Sequence, residues 1–327
     1  MKAIVVRQKA DKPLLEWDDV EDVMYGTDEV LVEIRASAVN RADLSQARGN
    51  YPPPAGVTDI LGLEASGIVK AVGSEVTQWK VGDRVCCLLP GGGYAERVAV
   101  PAGMLMRLPD NWSFEQGAAI PEVWLTAFVN LFLEGTLREG ETVLVHAGGS
   151  GVGTAAIQLA RVSGATVLIT AGAEEKLETG RTLGASLGVN YKEHDFSETV
   201  RAFTSGAGVD LILDPVGADN FTRDIELLRE HGRLVVIGLL SGGQAQISLG
   251  HVLAKSLRII GSRLRPRPVD EKIAITTAFV DRYWPLFEAG TLKPVIDRVF
   301  PMSEADEAHN YVLQNRNIGK VILRREL

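Results

Sequence analysis

Residues 143–160 read VLVHAGGSGVGTAAIQLA. A short apolar run meets a cluster of small residues, and an Ala-rich helical pattern follows. A strand feeding a glycine loop that opens a helix is the geometry that grips a dinucleotide pyrophosphate. The helix N-terminus offers unbonded amides and a partial positive charge. Gly148 permits the tight turn, and Gly153 lets the helix lie close to the sheet. Ser150 stands where the middle glycine of the fingerprint would be; it is small, and its hydroxyl can itself bond a phosphate. Around this stretch strands are predicted at 142–146, 166–170, 209–214, 234–238 and 257–261, with a helix at 219–230 closed by Gly232 after His231. Such alternation implies βαβ units and a parallel sheet.

NAD-binding chains of this kind place Asp or Glu about 20 residues beyond the motif, on the ribose hydroxyls. Here the second strand ends Thr170-Ala171-Gly172-Ala173, with no carboxylate at its tip. Lys176 follows, and Tyr191 and Lys192 lie where a third strand would end. A missing acid with Lys and Tyr nearby suits the 2′-phosphate of NADPH. One charge-assisted hydrogen bond contributes about 1.5–3 kcal/mol, roughly tenfold or more in preference. Glu174 and Glu175 keep open the alternative that Lys176 is an ordinary solvated helix residue.

At 327 residues the chain exceeds one ordinary core, so two domains are expected. In the first third, 29–35 alternates as a half-buried strand would, and 60–72, 81–89 and 94–100 are further apolar segments. Gly73-Ser74, Gly82-Asp83 and the run from Pro90 to Gly93 punctuate them, which suggests a small barrel-like domain. Ser113 and Gln116 fit a capping box, with helix resuming over 121–132. Later helices are expected at 271–289 and 303–315, before a terminal strand at 320–323. The dinucleotide domain is therefore inserted late, and the C-terminal segment returns to the first domain.

Hydrophobic residues make up 46% and charged residues 23%, the balance of a soluble globular protein. A net charge of −8 without any basic run argues against a nucleic-acid surface. The N-terminal apolar run breaks at Arg7 without a signal-peptide core, and no apolar stretch approaches the roughly 20 residues of a membrane span. A cytoplasmic protein without membrane contact is expected. The two cysteines, Cys86 and Cys87, are adjacent in an apolar run, which excludes a disulfide framework or a four-thiolate metal site. The five histidines show no ligand spacing, so no metal is expected.

Several segments taken together resemble a known family: Val39-Asn-Arg-Ala-Asp43, Ile60-Leu-Gly-Leu-Glu-Ala-Ser-Gly67, Val81-Gly-Asp-Arg-Val85, Pro90-Gly-Gly-Gly-Tyr94, Ala119-Ile-Pro121 with Thr126-Ala127, and the loop from His146 to Gly153. Their order and spacing resemble the zinc-independent quinone oxidoreductase branch of the medium-chain dehydrogenases, over nearly the whole chain to Asn317-Ile-Gly-Lys320. The resemblance implies an α/β fold: a GroES-like β-barrel catalytic domain at 1–122 and 265–327, and a Rossmann doubly wound parallel-sheet domain at 123–264. It also implies NADPH in the cleft and a homodimer joined through the Rossmann sheets. Zinc members of the wider family carry Gly-His-Glu where this chain has Gly62-Leu63-Glu64, and a cysteine near the place of Asn40 and Arg41.

Carried over by resemblance, Asn40 stands beside the nicotinamide ribose, Tyr51 faces nicotinamide and substrate, and Thr126 lies where the nicotinamide half packs. Ser150, Gly151, Val152 and Gly153 match the phosphate loop, and Gly172, Lys176 and Tyr191 the surroundings of the adenosine phosphate. Gly238 and Leu239 would border the nicotinamide. Ser262, Arg263 and Leu264 follow the sixth strand, and Arg316 and Asn317 lie in the returning C-terminal segment. Tyr51 and Asn40 are the catalytic candidates; Tyr51 could instead pack a loop, Asn40 could cap a turn, and Glu64 reads as a structural hydrogen-bonding group. Arg263 and Arg316 could equally be solvated surface residues.

The activity so implied is NADPH-dependent reduction of a quinone by hydride or electron transfer. A quinone carbonyl is conjugated and its product is stabilised, so no Lewis acid is required to polarise it. Tyr51 can donate a hydrogen bond or proton to the developing oxyanion. Two alternatives stand beside it: an NADPH-dependent enoyl or 2-alkenal reductase, and a non-catalytic NADPH-binding structural or redox-sensing protein.

Overall fold

In the computed structural model, which describes residues 1–9 and 12–326, the chain divides into two units, Met1–Leu125 with Arg265–Leu327, and Thr126–Leu264. The first unit opens with β1 (Lys2–Lys9), β2 (Lys12–Asp19), β3 (Glu29–Val39), α1 (Arg41–Ala47), β4 (Glu64–Val72), β5 (Arg84–Leu88), β6 (Arg97–Pro101), β7 (Leu105–Arg107) and α2 (Phe114–Ala118). Helix α3 (Pro121–Phe128) runs across the division. The second unit holds β8 (Thr142–Val145), α4 (Gly151–Val162), β9 (Thr166–Ala171), α5 (Glu174–Leu183), β10 (Leu187–Asn190), α6 (Phe196–Phe203), β11 (Val209–Asp214), α7 (Ala218–Leu227), β12 (Leu228–Val236), α8 (Leu249–Ala254) and β13 (Arg258–Gly261). The chain then returns to the first unit with α9 (Val269–Glu288), β14 (Ile296–Pro301), α10 (Ala305–Leu313) and β15 (Lys320–Arg324).

The second unit is a six-stranded parallel sheet in the order β10-β9-β8-β11-β12-β13. This is the doubly wound arrangement whose crevice opens at the carboxyl ends of the strands, where the order reverses beside β8. Its central strands carry no polar face because helices cover both sides: every residue of β11, VDLILD, is buried. Leu144, Leu168, Val189, Ile212 and Leu234 join Phe196, Val200 and Ile225 of the covering helices in one core.

The first unit is built on a seven-stranded sheet in the order β14-β15-β3-β4-β5-β7, with β6 also pairing β3, while β1 and β2 form a separate two-stranded antiparallel sheet. Strand β3 is the hub. Its alternating burial over 29–36 lets it pair antiparallel with β4, β6 and β15. Small residues at Ala36, Ala38, Ala118 and Ala119 pack with Ile322 of β15, so the last strand closes against the third. The capping box at Ser113 is present in both directions: Gln116 N donates to Ser113 Oγ at 3.2 Å and Ser113 N to Gln116 Oε1 at 2.9 Å. Among the described residues no helix is long and apolar enough to cross a membrane.

Three elements depart from the sequence reading. The helix expected at 219–230 ends at Leu227, and its last residues belong to β12. Leu228 is buried and pairs with Val209, while Lys255 Nζ takes up the freed carbonyls of Glu226 and Leu228 at 2.8 and 2.7 Å. Tertiary partners therefore outbid the helical pattern there. The helix expected at 121–132 changes after Phe128 into a π-turn over Val129–Glu134, closed by Gly135 N to Asn130 O at 3.0 Å. The helix expected at 303–315 is α10, preceded by a 3₁₀ turn at Met302–Glu304.

Candidate functional site

In the second unit, β8 delivers the chain to a left-handed Ala147 (φ 54°) and the glycine loop, and α4 starts at once. Ser150 is the N-cap; its Oγ accepts from Gly153 N at 3.0 Å. The amides of Gly151 and Val152 fall in the first turn, where a helix supplies no acceptor. The glycines are required by what surrounds them. A Cβ on Gly153 would lie 2.4 Å from Ala147 O and 2.7 Å from Gly148 O, and one on Gly148 would lie 2.8 Å from Ile169 Cβ. A Cβ on Gly149 would meet the Lys176 stem at 2.8 to 2.9 Å, so that side chain lies across the loop. At the end of β9, a Cβ on Gly172 would meet Tyr191 Oη at 2.6 Å and Lys192 Cε at 3.0 Å. The stems of two lysines thus lie against the glycine loop and the end of β9, where no acid stands. The donor set fits a phosphorylated dinucleotide: the first-turn amides of a 12-residue helix suit a pyrophosphate, and the two lysines suit a further phosphate.

Gly238 and Leu239 follow β12, and Ser262, Arg263 and Leu264 follow β13, so both groups sit at the same carboxyl edge of the sheet as the loop. Ser262 N closes on Val236 O at 3.1 Å, and Gly238 lies against the Pro215 backbone, 2.7 Å from its carbonyl to a built Cβ. Thr126, in α3, lends its carbonyl to Asn130 Nδ2 at 2.7 Å.

The remaining candidates belong to the first unit. Asn40 is buried, and both ends of its amide are engaged: Nδ2 donates to Glu64 Oε1 at 2.8 Å, and Lys320 Nζ donates to Oδ1 at 2.6 Å. Lys320 Nζ also reaches Glu64 Oε1 at 2.7 Å and Val39 O at 3.2 Å. The second oxygen of Glu64 accepts from Glu122 N at 2.9 Å, capping the start of α3. Glu64 is therefore the structural group its apolar setting implied. Asp43 accepts from Asn40 N and Gly62 N at 2.8 and 3.0 Å, and burial pushes its carboxyl up to about 6. Tyr94 Oη stands between Asp43 Oδ2, 3.3 Å away, and His309 Nε2, 3.1 Å away. Burial, then the positive charge of Arg48, lowers His309 to about 3, so its ring is neutral.

Arg316 lies over the Tyr311 ring at 4.8 Å, and Asn317 Nδ2 closes the turn before β15 on Gly319 O at 2.8 Å. Tyr51 lies under the guanidinium of Arg265. Lys320, Arg265 and Lys192 are absent from the sequence-derived site. Lys192 alone had a local signal, its place after the third strand.

Where zinc relatives carry a histidine and a cysteine, this chain presents Leu63, Asn40 and a buried ammonium bonded to Glu64. An amide and an ammonium already fill the carboxylate's coordination, so these residues do not fit a zinc ion. Among the described residues no group of three His, Cys, Asp or Glu is placed to hold a metal.

Two family models match: an alcohol dehydrogenase GroES-like domain over residues 26–110 and a zinc-binding dehydrogenase over 151–278. A quinone oxidoreductase of Pseudomonas aeruginosa is 34% identical over 315 residues, covering 95% of each chain. A 2-haloacrylate reductase of a Burkholderia species is 31% identical over 331 residues, covering 98% of each. The solved structure of the Escherichia coli quinone oxidoreductase complexed with NADPH superposes with a TM-score of 0.87 at 29% identity, covering 99% of this chain and 100% of that one. With its GroES-like and doubly wound units and these relatives, the chain belongs to the quinone oxidoreductase branch of the medium-chain dehydrogenase/reductase superfamily.

Proposed function

We propose that the chain is an NADPH-dependent reductase of conjugated carbonyl compounds, with quinones as the acceptor class, working without zinc. The observation that carries this reading is the glycine loop at the head of α4 with the Lys176 stem lying across it. When bound, NADPH supplies the reducing equivalent, and a conjugated carbonyl accepts it without a Lewis acid. The chain's own residues bind and orient. First-turn amides of α4 take the pyrophosphate, and Lys176, with Lys192 and Tyr191, takes the 2′-phosphate. Tyr51 donates to the acceptor oxygen, and Asn40 holds its place through Lys320 and Glu64.

The test is NADPH oxidation with ortho-quinones set against 2-alkenals. Faster turnover of quinones supports the reading. Faster turnover of alkenals would move it to the second reading, an enoyl-type reductase, which the 2-haloacrylate reductase relative favours. Tight NADPH binding without oxidation across both sets would leave only a nucleotide-binding protein.

Cofactor choice is separable. Lys176→Ala is expected to weaken NADPH about tenfold, the worth of one charge-assisted hydrogen bond, while NADH affinity stays within about twofold. Fluorescence titration of both nucleotides reads this directly, and an equal loss for the two would place the 2′-phosphate elsewhere.

A homodimer is part of the same proposal. Strand β13 ends the sheet with Ile259 40% exposed, and α8 next to it in sequence leaves Leu253 83% exposed, an apolar edge suited to a second copy. Sedimentation at micromolar concentration should give twice the chain mass, and Ile259→Lys should return it to one; a wild-type monomer would remove the dimer.

A further inference from the structure

Arg265 opens the returning segment of the first unit and is only 8% exposed. Two of its nitrogens are fixed: Nε donates to Pro90 O at 2.7 Å and Nη2 to Gln46 Oε1 at 2.7 Å. Gln46 is held in turn, its Nε2 donating to Asp59 O at 3.0 Å, so the fork is aimed rather than loose. The guanidinium lies over the Tyr51 ring, with Cζ 5.2 Å from the centroid. Nη1 is the exception: it is buried and has no hydrogen-bond partner among the described residues.

An unmet donor on a buried cation is costly, and native folds rarely keep one without use. No ion pair among the described residues neutralises this one. A second buried amine, Lys272 Nζ, donates to the carbonyl of Arg265 at 3.4 Å. Burial pulls both cations below their ordinary values, and Arg265 adds to the effect on Lys272. Asp43 lies near enough to favour the charged form of Arg265 but makes no bond to it. The surroundings of Tyr51 therefore carry unspent positive charge and one buried N–H without an acceptor among the described residues.

We propose that Arg265 Nη1 is the binding point for an anionic oxygen of the acceptor, taken up as the Tyr51 ring turns off the guanidinium. This rests on the reading of the chain as a reductase and narrows its acceptors to those whose oxygen carries or develops negative charge. That oxygen has two sources, a carbonyl oxygen charging during reduction and a carboxylate carried by the substrate. The first source makes Arg265 a kcat residue; the second makes it a KM residue.

The experiment compares the wild type with Arg265→Gln and Arg265→Lys. Benzoate, a carboxylate that cannot be reduced, is titrated calorimetrically, and steady-state kinetics are measured with 1,4-benzoquinone and with 2-chloroacrylate. Arg265→Gln should weaken benzoate at least about tenfold, the worth of a charge-assisted bond, with Arg265→Lys between it and the wild type. A drop in kcat for benzoquinone at constant KM assigns the charging carbonyl. A rise in KM for 2-chloroacrylate assigns the carboxylate. The proposal is overturned if Arg265→Gln, shown folded by its melting curve, changes none of the three. Should that variant not fold, Arg265→Lys decides, and wild-type values throughout overturn the proposal. A wild type that oxidises NADPH with neither acceptor would refute the reductase reading instead, and the benzoate titration would then judge Arg265 alone.

Discussion

Lys320→Met should lower the stability of the first unit by about 3–5 kcal/mol, read as a shift in the urea midpoint at constant slope. Glu64 is 0% exposed, and in the wild type its Oε1 receives both Lys320 Nζ and Asn40 Nδ2. Methionine fills much the same volume, so the loss comes from charge rather than from a cavity. It leaves a carboxylate out of water with amide donors alone among the described residues, and Asn40 Oδ1 loses the ammonium that donates to it. The double replacement Lys320→Met with Glu64→Gln should recover more than half of that cost, because no charge then remains buried. A loss below about 1 kcal/mol for the single variant would mean that the ammonium is not what balances Glu64. The same variant should also weaken turnover, since Asn40 would be free to rotate within its pocket.

That ion pair also marks where sequence reading stops. Strand β8, the glycine loop and α4 were legible because all the information is local: an apolar run, residues without side chains, and a cap at Ser150. The buried strands of the parallel sheet were equally plain, since helices on both faces demand apolar runs such as Val143–Val145 and Leu211–Leu213. Strand β2 escaped notice because only Leu15 of its eight residues is buried, and β14 because three of its six residues, Asp297 to Val299, are exposed and break any alternation. The early end of α7 was decided by Lys255, which no helical period can announce. In the site, Asn40 and Glu64 could each be singled out by their neighbours in sequence. Lys320 could not be paired with them, because 280 residues separate it from Asn40 and only the closure of β15 on β3 brings them together. Arg265 is hidden for the same reason, with its anchors 175 and 219 residues away.

Gly153→Ala should weaken NADPH and NADH alike, by about ten- to a hundredfold in dissociation constant, the equivalent of one or two lost bonds to the pyrophosphate. Helix propensity alone would favour the change by about 1 kcal/mol, because Gly153 lies inside α4. Sterics overrule it. The new methyl would stand 2.4 Å from Ala147 O and 2.7 Å from Gly148 O, and both obstacles are backbone atoms of the loop itself. Either the loop or the first turn of α4 must give way, and the amides of Gly151 and Val152 move with it. Gly149→Ala provides the contrast. Its methyl would meet the Lys176 side chain, 2.8 Å from Cβ and 2.9 Å from Cγ and Cδ, and a side chain can swing where a backbone cannot. That variant should keep its NADH affinity within about threefold and lose mainly the preference for NADPH, following Lys176 rather than the loop. Titrating both nucleotides against both variants distinguishes the two effects. If Gly153→Ala spared the nucleotides, the pyrophosphate could not lie on the first turn of α4, and the binding site would have to be sought away from the loop.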